Sequence, residues 1–208
     1  MDLSNPLAVV TPTLDAAVLQ ALAATTGWAT GANVHRLAGT GSDDGVRRVL
    51  GRLVDQGIVL DDQHSHATLY LLNRDHVAAD AIITLTRLRG LIIDRIKGAL
   101  ESWSPVPVHA SLFGSFARTE ATADSDIDLL VVTEPNSDPD MATEAVDQLA
   151  TDIRKWTGNN AQIVDRNPDE LAAMIASHDP LVASWRADHI DLTGARLLDL
   201  LRDPQRGS

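Results

Sequence analysis

The sequence lacks cysteine, and this absence excludes several kinds of chemistry. With no cysteine among its 208 residues, the chain cannot form disulfides, iron–sulfur clusters, thiolate zinc sites or a cysteine nucleophile. Aromatic residues are scarce at 3%, so we expect Trp156 and Trp185 to lie in the core rather than to stack on bases. The length and an ordinary hydrophobic content of 44% predict one or two globular domains.

Basic residues and long apolar runs are scarce as well. The 17 Lys and Arg stand against 29 Asp and Glu, a formal net charge of −12, which argues against strong non-specific binding to nucleic acid or anionic membrane. No stretch reaches the roughly 20 apolar residues that a membrane span needs, and the start has no cationic targeting segment. We therefore expect a cytoplasmic protein without a membrane partner.

Residues 1–75 predict a winged helix-turn-helix domain. Their apolar spacing indicates three helices and then a hairpin, and Ser42 is a suitable N-cap for the third helix. The order resembles that of winged helix-turn-helix proteins, in which the third helix enters the DNA major groove. On the solvent face of that helix, the candidate DNA-binding residues are Arg47, Arg48 and Arg52.

The charge of residues 1–75 leaves two roles open for this domain. Five Arg against eight Asp give a balance of −3, so a DNA footprint would be confined to one helix. The alternative is a winged helix that docks a protein partner or dimerises, because a fold does not fix a function. Operator DNA and a second protein are both candidate partners.

Residues 76–103 predict one long connector helix. Apolar residues recur at steps of three and four from Val77 to Leu100, and Pro105 and Pro107 block continuation of the helix. We expect the connector to pack on both flanking domains. Because it is apolar on more than one face, it would also support a homodimer.

Residues 106–132 hold a strand, a Gly-Ser turn and a polar loop, in that order. The strand ends at Phe113, and Gly114 and Ser115 then lead into a short helix. A glycine between a strand and a helix lets the backbone approach a ligand closely, and free N–H groups at a helix start favour phosphate. The Ser115 hydroxyl adds a donor to a phosphate oxygen. The sequence therefore predicts a phosphate-binding turn.

Two carboxylates follow this turn on the next predicted strand. Asp126 and Asp128 alternate with Ile127, so both side chains project from one face of the strand. Two acids beside a phosphate suit Mg²⁺ or Mn²⁺, which bind carboxylate and phosphate oxygens together. The pattern favours phosphoryl or nucleotidyl transfer.

The segment FGSFARTEATADSDIDLLVV resembles the polymerase-beta-type nucleotidyltransferase superfamily, in particular its small, minimal bacterial members. The resemblance lies in Gly114-Ser115, ten intervening residues and Asp126-x-Asp128, with Arg118 at the basic position after Gly-Ser. It implies a small mixed β-sheet flanked by helices, an NTP substrate with Mg²⁺, and transfer of a nucleoside monophosphate to a hydroxyl. It also implies metal binding by Asp126 and Asp128 and nucleotide binding by Gly114, Ser115, Arg118 and Ser125.

The resemblance also implies a third carboxylate on a later strand, which here spans residues 161–165. At the aligned position stands Gln162, whose amide ligates metal weakly and cannot act as a general base. Asp165 is the remaining candidate for the third catalytic acid, although three residues along a strand place it on the opposite face unless the strand bulges. It could instead belong to the turn before the next helix, where Asn167 would be the cap and Pro168 the first residue.

The predicted chain is α+β in three parts. They are a winged helix-turn-helix over 1–75, a connector helix over 76–103, and a nucleotidyltransferase domain over 104–208 that ends in C-terminal helices from Pro168 to Leu201. The leading hypothesis is an enzyme that modifies a protein, such as a toxin of the HEPN class in a toxin–antitoxin pair, or a small molecule. Because Gln162 stands at the position aligned with the third acid, a DNA-binding regulator that binds nucleotide with little or no catalysis is the alternative, followed by an antitoxin-like interaction module.

Overall fold

The computed structural model describes residues 1–64, 67–134 and 138–202. The chain divides into two compact units, one of residues 4–89 with Asp2, the other from Gly90 onward with Met1 and Leu3. Among the helices in the described ranges, none is both long and apolar enough to cross a membrane.

The first unit combines helices with a three-stranded antiparallel sheet in which β3 (Thr68–Leu72) lies between β1 (Ala29–Thr30) and β2 (Val59–Gln63). Its third α-helix begins as predicted, because the Ser42 hydroxyl accepts a hydrogen bond from the backbone N–H of Gly45 at 3.1 Å. Leu22, Val34 and Leu50 are fully buried in its core. In chain order the elements are a 3-10 helix Pro6–Val9, α1 Leu14–Ala23, β1 Ala29–Thr30, α2 Gly31–Ala38, α3 Asp43–Asp55, β2 Val59–Gln63, β3 Thr68–Leu72 and α4 Ala79–Thr86.

The predicted single connector helix is instead two helices, α4 and α5 (Leu88–Glu101), and the boundary between the units lies within α5, before Gly90. Two side-chain hydroxyls bond to backbone carbonyls near the end of α4. Thr84 donates to the carbonyl of Asp80 at 2.7 Å, and Thr86 donates to that of Ile83 at 2.8 Å. Such back-bonding competes with the regular helix pattern. The backbone N–H of Arg87 then bonds Thr84 in a tight turn at 3.0 Å.

The second unit is built on a four-stranded mixed sheet of order β6-β5-β4-β7. Strand β5 is parallel to β6 and antiparallel to β4, and β4 is antiparallel to β7. The α+β class with a small mixed sheet and flanking helices is thereby confirmed. After α5 the elements are β4 His109–Phe113, α6 Gly114–Ala117, β5 Ile127–Val132, α7 Pro139–Thr157, β6 Ala161–Arg166, α8 Pro168–Ala176, α9 Pro180–Ala187, β7 His189–Gly194 and α10 Leu197–Leu200.

The C-terminal part contains a strand where only helices were predicted. Ile190 and Leu192 alternate with polar residues and pack into the core on one face of the sheet, which is the period of a strand. The helices around β7 are present, and α8 begins as predicted with Asn167 as its cap and Pro168 next. On the other face of the sheet, Trp185 is fully buried and packs edge-on against Phe113, with the two ring centroids 6.0 Å apart. Its predicted core position is confirmed.

Candidate active site

The Gly-Ser turn lies directly against one of the two predicted acids. Strand β4 ends at Phe113, and Gly114 adopts a φ of +68°, a conformation that favours glycine. A Cβ on Gly114 would overlap the carboxylate of Asp128. Gly114 is therefore needed for its backbone conformation and for the space that Asp128 occupies.

The register of the sheet explains why the turn and the acids meet. Asp128 lies opposite Phe113 in β4 and opposite Gln162 in β6. Asp126 precedes β5 by one residue and lies two positions before Asp128, so both acids share a face. Burial raises the pKa of the Asp128 carboxyl, the negative charge of Asp126 raises it further, and the charge of Arg118 offsets part of this.

Gln162 occupies the position beside the acids where a third carboxylate was sought. Its Nε2 donates a hydrogen bond to Oδ2 of Asp126 at 2.8 Å. The amide is therefore in contact with the predicted site and supplies a donor rather than a negative charge.

Asp165 is not brought to the other two acids, and the prediction that it joins them is corrected. It pairs in register with Val131, three positions beyond the pair of Asp128 and Gln162. Three residues along a regular strand place a side chain on the opposite face of the sheet. There, burial and the nearby charge of Glu170 raise the pKa of the Asp165 carboxyl.

Arg118 follows α6 and is held between two acids. Its Nε donates to Glu120 at 2.8 Å and its Nη1 donates to Asp188 at 3.3 Å. The side chain is 40% exposed, so solvent and a ligand can both reach it. An incoming phosphate would compete with these two carboxylates for the guanidinium group.

The loop before Asp126 is held in place by Asn159, which was not among the predicted site residues. Asn159 is 2% exposed, and its side-chain amide donates to the backbone carbonyls of Thr122, Ala123 and Ser125 at 2.9 to 3.3 Å. The Ser125 hydroxyl accepts from the N–H of Thr122 at 2.9 Å, so this predicted nucleotide-binding group shapes the loop. In the sequence, Asn159 carried only the signal of a helix stop, Gly158-Asn159-Asn160.

The side chains of the predicted site can supply only part of the ligands that a divalent cation needs. Within the described residues, no group of three or more His, Asp or Glu side chains could hold a metal ion. Asp126 and Asp128 supply two carboxylates, and Mg²⁺ is commonly bound by one or two carboxylates together with substrate phosphates and water. The residues present therefore fit a metal–nucleotide complex.

The three candidate DNA-binding arginines lie together on α3, in the first unit. Arg47 pairs with Asp43 at 3.0 Å, and Nε of Arg48 donates to the carbonyl of Asp44 at 3.3 Å. The Arg52 guanidinium forms an ion pair with Asp15 of α1. The exposed face of α3 is thus a mixture of both charge signs.

Part of the chain resembles several solved structures. The solved structures that the chain resembles include a toxin-antitoxin with AMP-PNP (22% identity, 52% of this chain and 78% of that chain, TM-score 0.38). Another is tri-AMPylated Shewanella oneidensis HEPN toxin in complex with MNT antitoxin (21% identity, 54% and 78% covered, TM-score 0.37). A mutant of the toxin-antitoxin MntA-HpeT is a third (20% identity, 52% and 78% covered, TM-score 0.39). No curated protein matches the chain.

A family model matches the part of the chain that holds the candidate site. Residues 95–184 match the model described as Polymerase beta, Nucleotidyltransferase. Gly114, Ser115, Asp126, Asp128 and Gln162 all fall inside this segment. The segment that carries the candidate active site is therefore similar to nucleotidyltransferase domains of the polymerase beta type.

Proposed function

We propose that the protein is a nucleotidyltransferase that uses Mg²⁺ or Mn²⁺ and moves a nucleoside monophosphate from an NTP to a hydroxyl group. The observation that carries this proposal is the contact between the Gly114 turn and the Asp128 carboxylate, with Asp126 on the same face. A phosphate-binding turn and two acids then serve one ligand. The family match over residues 95–184 supports the same chemistry.

Each side chain at the site has a proposed role. The backbone at Gly114 and the Ser115 hydroxyl donate to triphosphate oxygens, and Arg118 contacts a phosphate. Asp126 and Asp128 would hold the cation, which when bound neutralises charge that develops on the phosphates. The acceptor hydroxyl releases its proton to solvent as its oxygen forms a bond to the α-phosphorus, the α–β phosphoanhydride breaks, and pyrophosphate leaves.

We propose a protein hydroxyl as the acceptor, with a small molecule as the second choice. A net charge of −12 disfavours an RNA acceptor, because RNA binding needs clustered positive charge. The resemblance to small nucleotidyltransferases makes a toxin of the HEPN class the first protein to test.

The direct test is incubation with labelled NTPs, Mg²⁺ and candidate acceptors. We expect label transfer by the wild type and its loss in the double variant Asp126→Asn with Asp128→Asn, which keeps the side-chain shapes. Asp124→Asn is the matched control, because Asp124 is exposed in the same loop. If the double variant labels the acceptors as well as the wild type does, the proposed function is wrong.

A second candidate function is DNA binding by the first unit as a winged helix-turn-helix domain. In its favour are the order of α1, α2 and α3 before the β2–β3 hairpin and the exposed arginines of α3. Fluorescence anisotropy with duplex DNA over a series of salt concentrations tests it. Binding that Arg47→Ala with Arg48→Ala leaves unchanged, or that salt does not weaken, would exclude this role.

A further inference from the structure

Gln162 lies beside the two acids, on the neighbouring strand. It lies opposite Asp128 in the parallel register of β5 and β6. Its exposed side chain reaches back to Asp126, where the 2.8 Å hydrogen bond from Nε2 to Oδ2 forms. A neutral amide is therefore the third polar side chain beside the acids.

An amide differs from a carboxylate in two ways that a divalent cation would sense. It adds no negative charge, so only Asp126 and Asp128 attract the cation. Its N–H also donates to Oδ2 of Asp126, one of the oxygens that the cation would bind. Mg²⁺ and Mn²⁺ favour anionic oxygen ligands, and the phosphates of a nucleotide supply the ones that the protein does not.

We propose that Gln162 makes cation binding at this site conditional on nucleotide. The free protein holds Mg²⁺ or Mn²⁺ weakly, because Gln162 competes for Asp126 and contributes no charge. Nucleotide phosphates complete the ligand set, so cation and nucleotide bind with positive coupling. Gln162 is a positioning residue that acts through Asp126. The nucleotide part of this inference rests on the proposed function, whereas binding of the cation alone can be measured independently.

The experiment measures binding in two ways on the full chain. Electron paramagnetic resonance gives the affinity for Mn²⁺ alone, and calorimetry gives the affinity for a non-hydrolysable ATP analogue with and without Mn²⁺. The variants are Gln162→Glu, which adds a carboxylate, and Gln162→Met, which removes the donor at similar length. Gln148→Glu is the matched control, because it adds the same charge at an exposed position of α7.

We expect the wild type to bind Mn²⁺ alone weakly and the analogue at least about tenfold more tightly when Mn²⁺ is present. Gln162→Glu should bind Mn²⁺ alone roughly tenfold more tightly than the wild type, because it adds a charge within a few ångströms of the cation. Gln162→Met should bind Mn²⁺ alone more tightly than the wild type but less tightly than Gln162→Glu. Gln148→Glu should match the wild type.

Two results would overturn the inference. One is a wild type that binds Mn²⁺ alone as tightly as Gln162→Glu does. The other is Gln162→Met binding Mn²⁺ more weakly than the wild type, which would mean that the amide aids the cation. Either result leaves the proposed function intact if transfer still depends on Asp126 and Asp128. Conversely, the expected Mn²⁺ affinities without any transfer would count against the proposed function alone.

Discussion

Helix α3 in the first unit and the turn at Gly114 in the second differ in how their charges are compensated. Arginines of α3 form ion pairs with acids, whereas the two acids at the turn repel each other. On α3 two of the three arginines are paired with acids, Arg47 with Asp43 and Arg52 with Asp15. At the turn, the charge of Asp126 raises the pKa of the Asp128 carboxyl, and the hydrogen-bond partner of Asp126 is the neutral amide of Gln162. Paired surface charges contribute little to folding stability. Two acids that repel each other instead mark a place where a positively charged ligand is expected.

The largest effect is expected from filling the space between the Gly114 turn and the Asp128 carboxylate. We expect Gly114→Ala to lower transfer by about 100-fold or more, because displacement of Asp128 misplaces the reacting groups. It should also cost about 1–3 kcal/mol of stability, because alanine is strained at a φ of +68°. Transfer assays and urea unfolding measure the two effects.

Gly98→Ala is the control for this change. Gly98 lies in α5 with open space where a Cβ would be, so the substitution should stabilise the protein by about 0.5–1 kcal/mol and leave transfer unchanged. Equal effects at Gly98 and Gly114 would show that the contact with Asp128 does not matter.

The next largest effect concerns the loop that carries Asp126. We expect Asn159→Ala to cost about 1–3 kcal/mol, because it removes a buried amide that donates to three carbonyls of the loop 122–125. Affinity for the ATP analogue should fall as well, because the loop loses its anchor. Asn160→Ala changes an exposed side chain in the same turn and should alter neither value. Unchanged stability of Asn159→Ala would contradict the anchoring role.

A smaller effect is expected from the raised pKa of the Asp128 carboxyl. Because the folded protein raises the pKa of Asp128, the folded state binds more protons than the unfolded state between the ordinary and the raised pKa. Stability therefore falls as pH rises through this window. Asp128→Asn should remove this slope and raise the melting temperature at neutral pH without cation, whereas the exposed Asp124→Asn should not. Thermal unfolding at several pH values would refute the idea if Asp128→Asn melts lower at neutral pH.

The smallest effect is expected on α3. Arg47→Ala removes a pair whose arginine side chain is 66% exposed, so it should change stability by less than about 0.5 kcal/mol. A thermal shift equivalent to more than about 1 kcal/mol would mean that the charges of α3 are not a balanced surface. The same variant, compared with the wild type on DNA, separates a role in stability from one in binding.

The site residues could be predicted where they lie close together in the sequence and follow the regular period of a strand. Gly114, Asp126 and Asp128 lie within one segment, and the period of two along a strand was enough to place both acids on one face. To place Gln162 beside the acids, only the register between β5 and β6 had to be known. In the structure Asp128 lies opposite Gln162. The same register places Asp165 on the other face, so its exclusion depends on pairing rather than on residue type.

The features that the sequence did not predict depend on distant contacts. Strand β7 has only Ile190 and Leu192 as alternating apolar residues, and its pairing with β4 makes it a strand. The break between α4 and α5 lies within a continuous apolar pattern, so the spacing of apolar residues did not reveal it. In the sequence, Asn159 cannot be distinguished from any other residue that follows a helix. Its role depends on hydrogen bonds to the distant loop 122–125, which only the folded chain shows.

The anchoring by Asn159 also has a consequence for motion. Segments 122–127 and 157–160 are far apart in sequence, yet the Asn159 amide and the bond from the Ile127 N–H to the Asn160 carbonyl, at 2.8 Å, join them. We expect segments joined in this way to open together, which native-state hydrogen exchange would detect as a shared opening free energy. Opening of the loop that carries Asp126 would then require opening of the turn that ends α7.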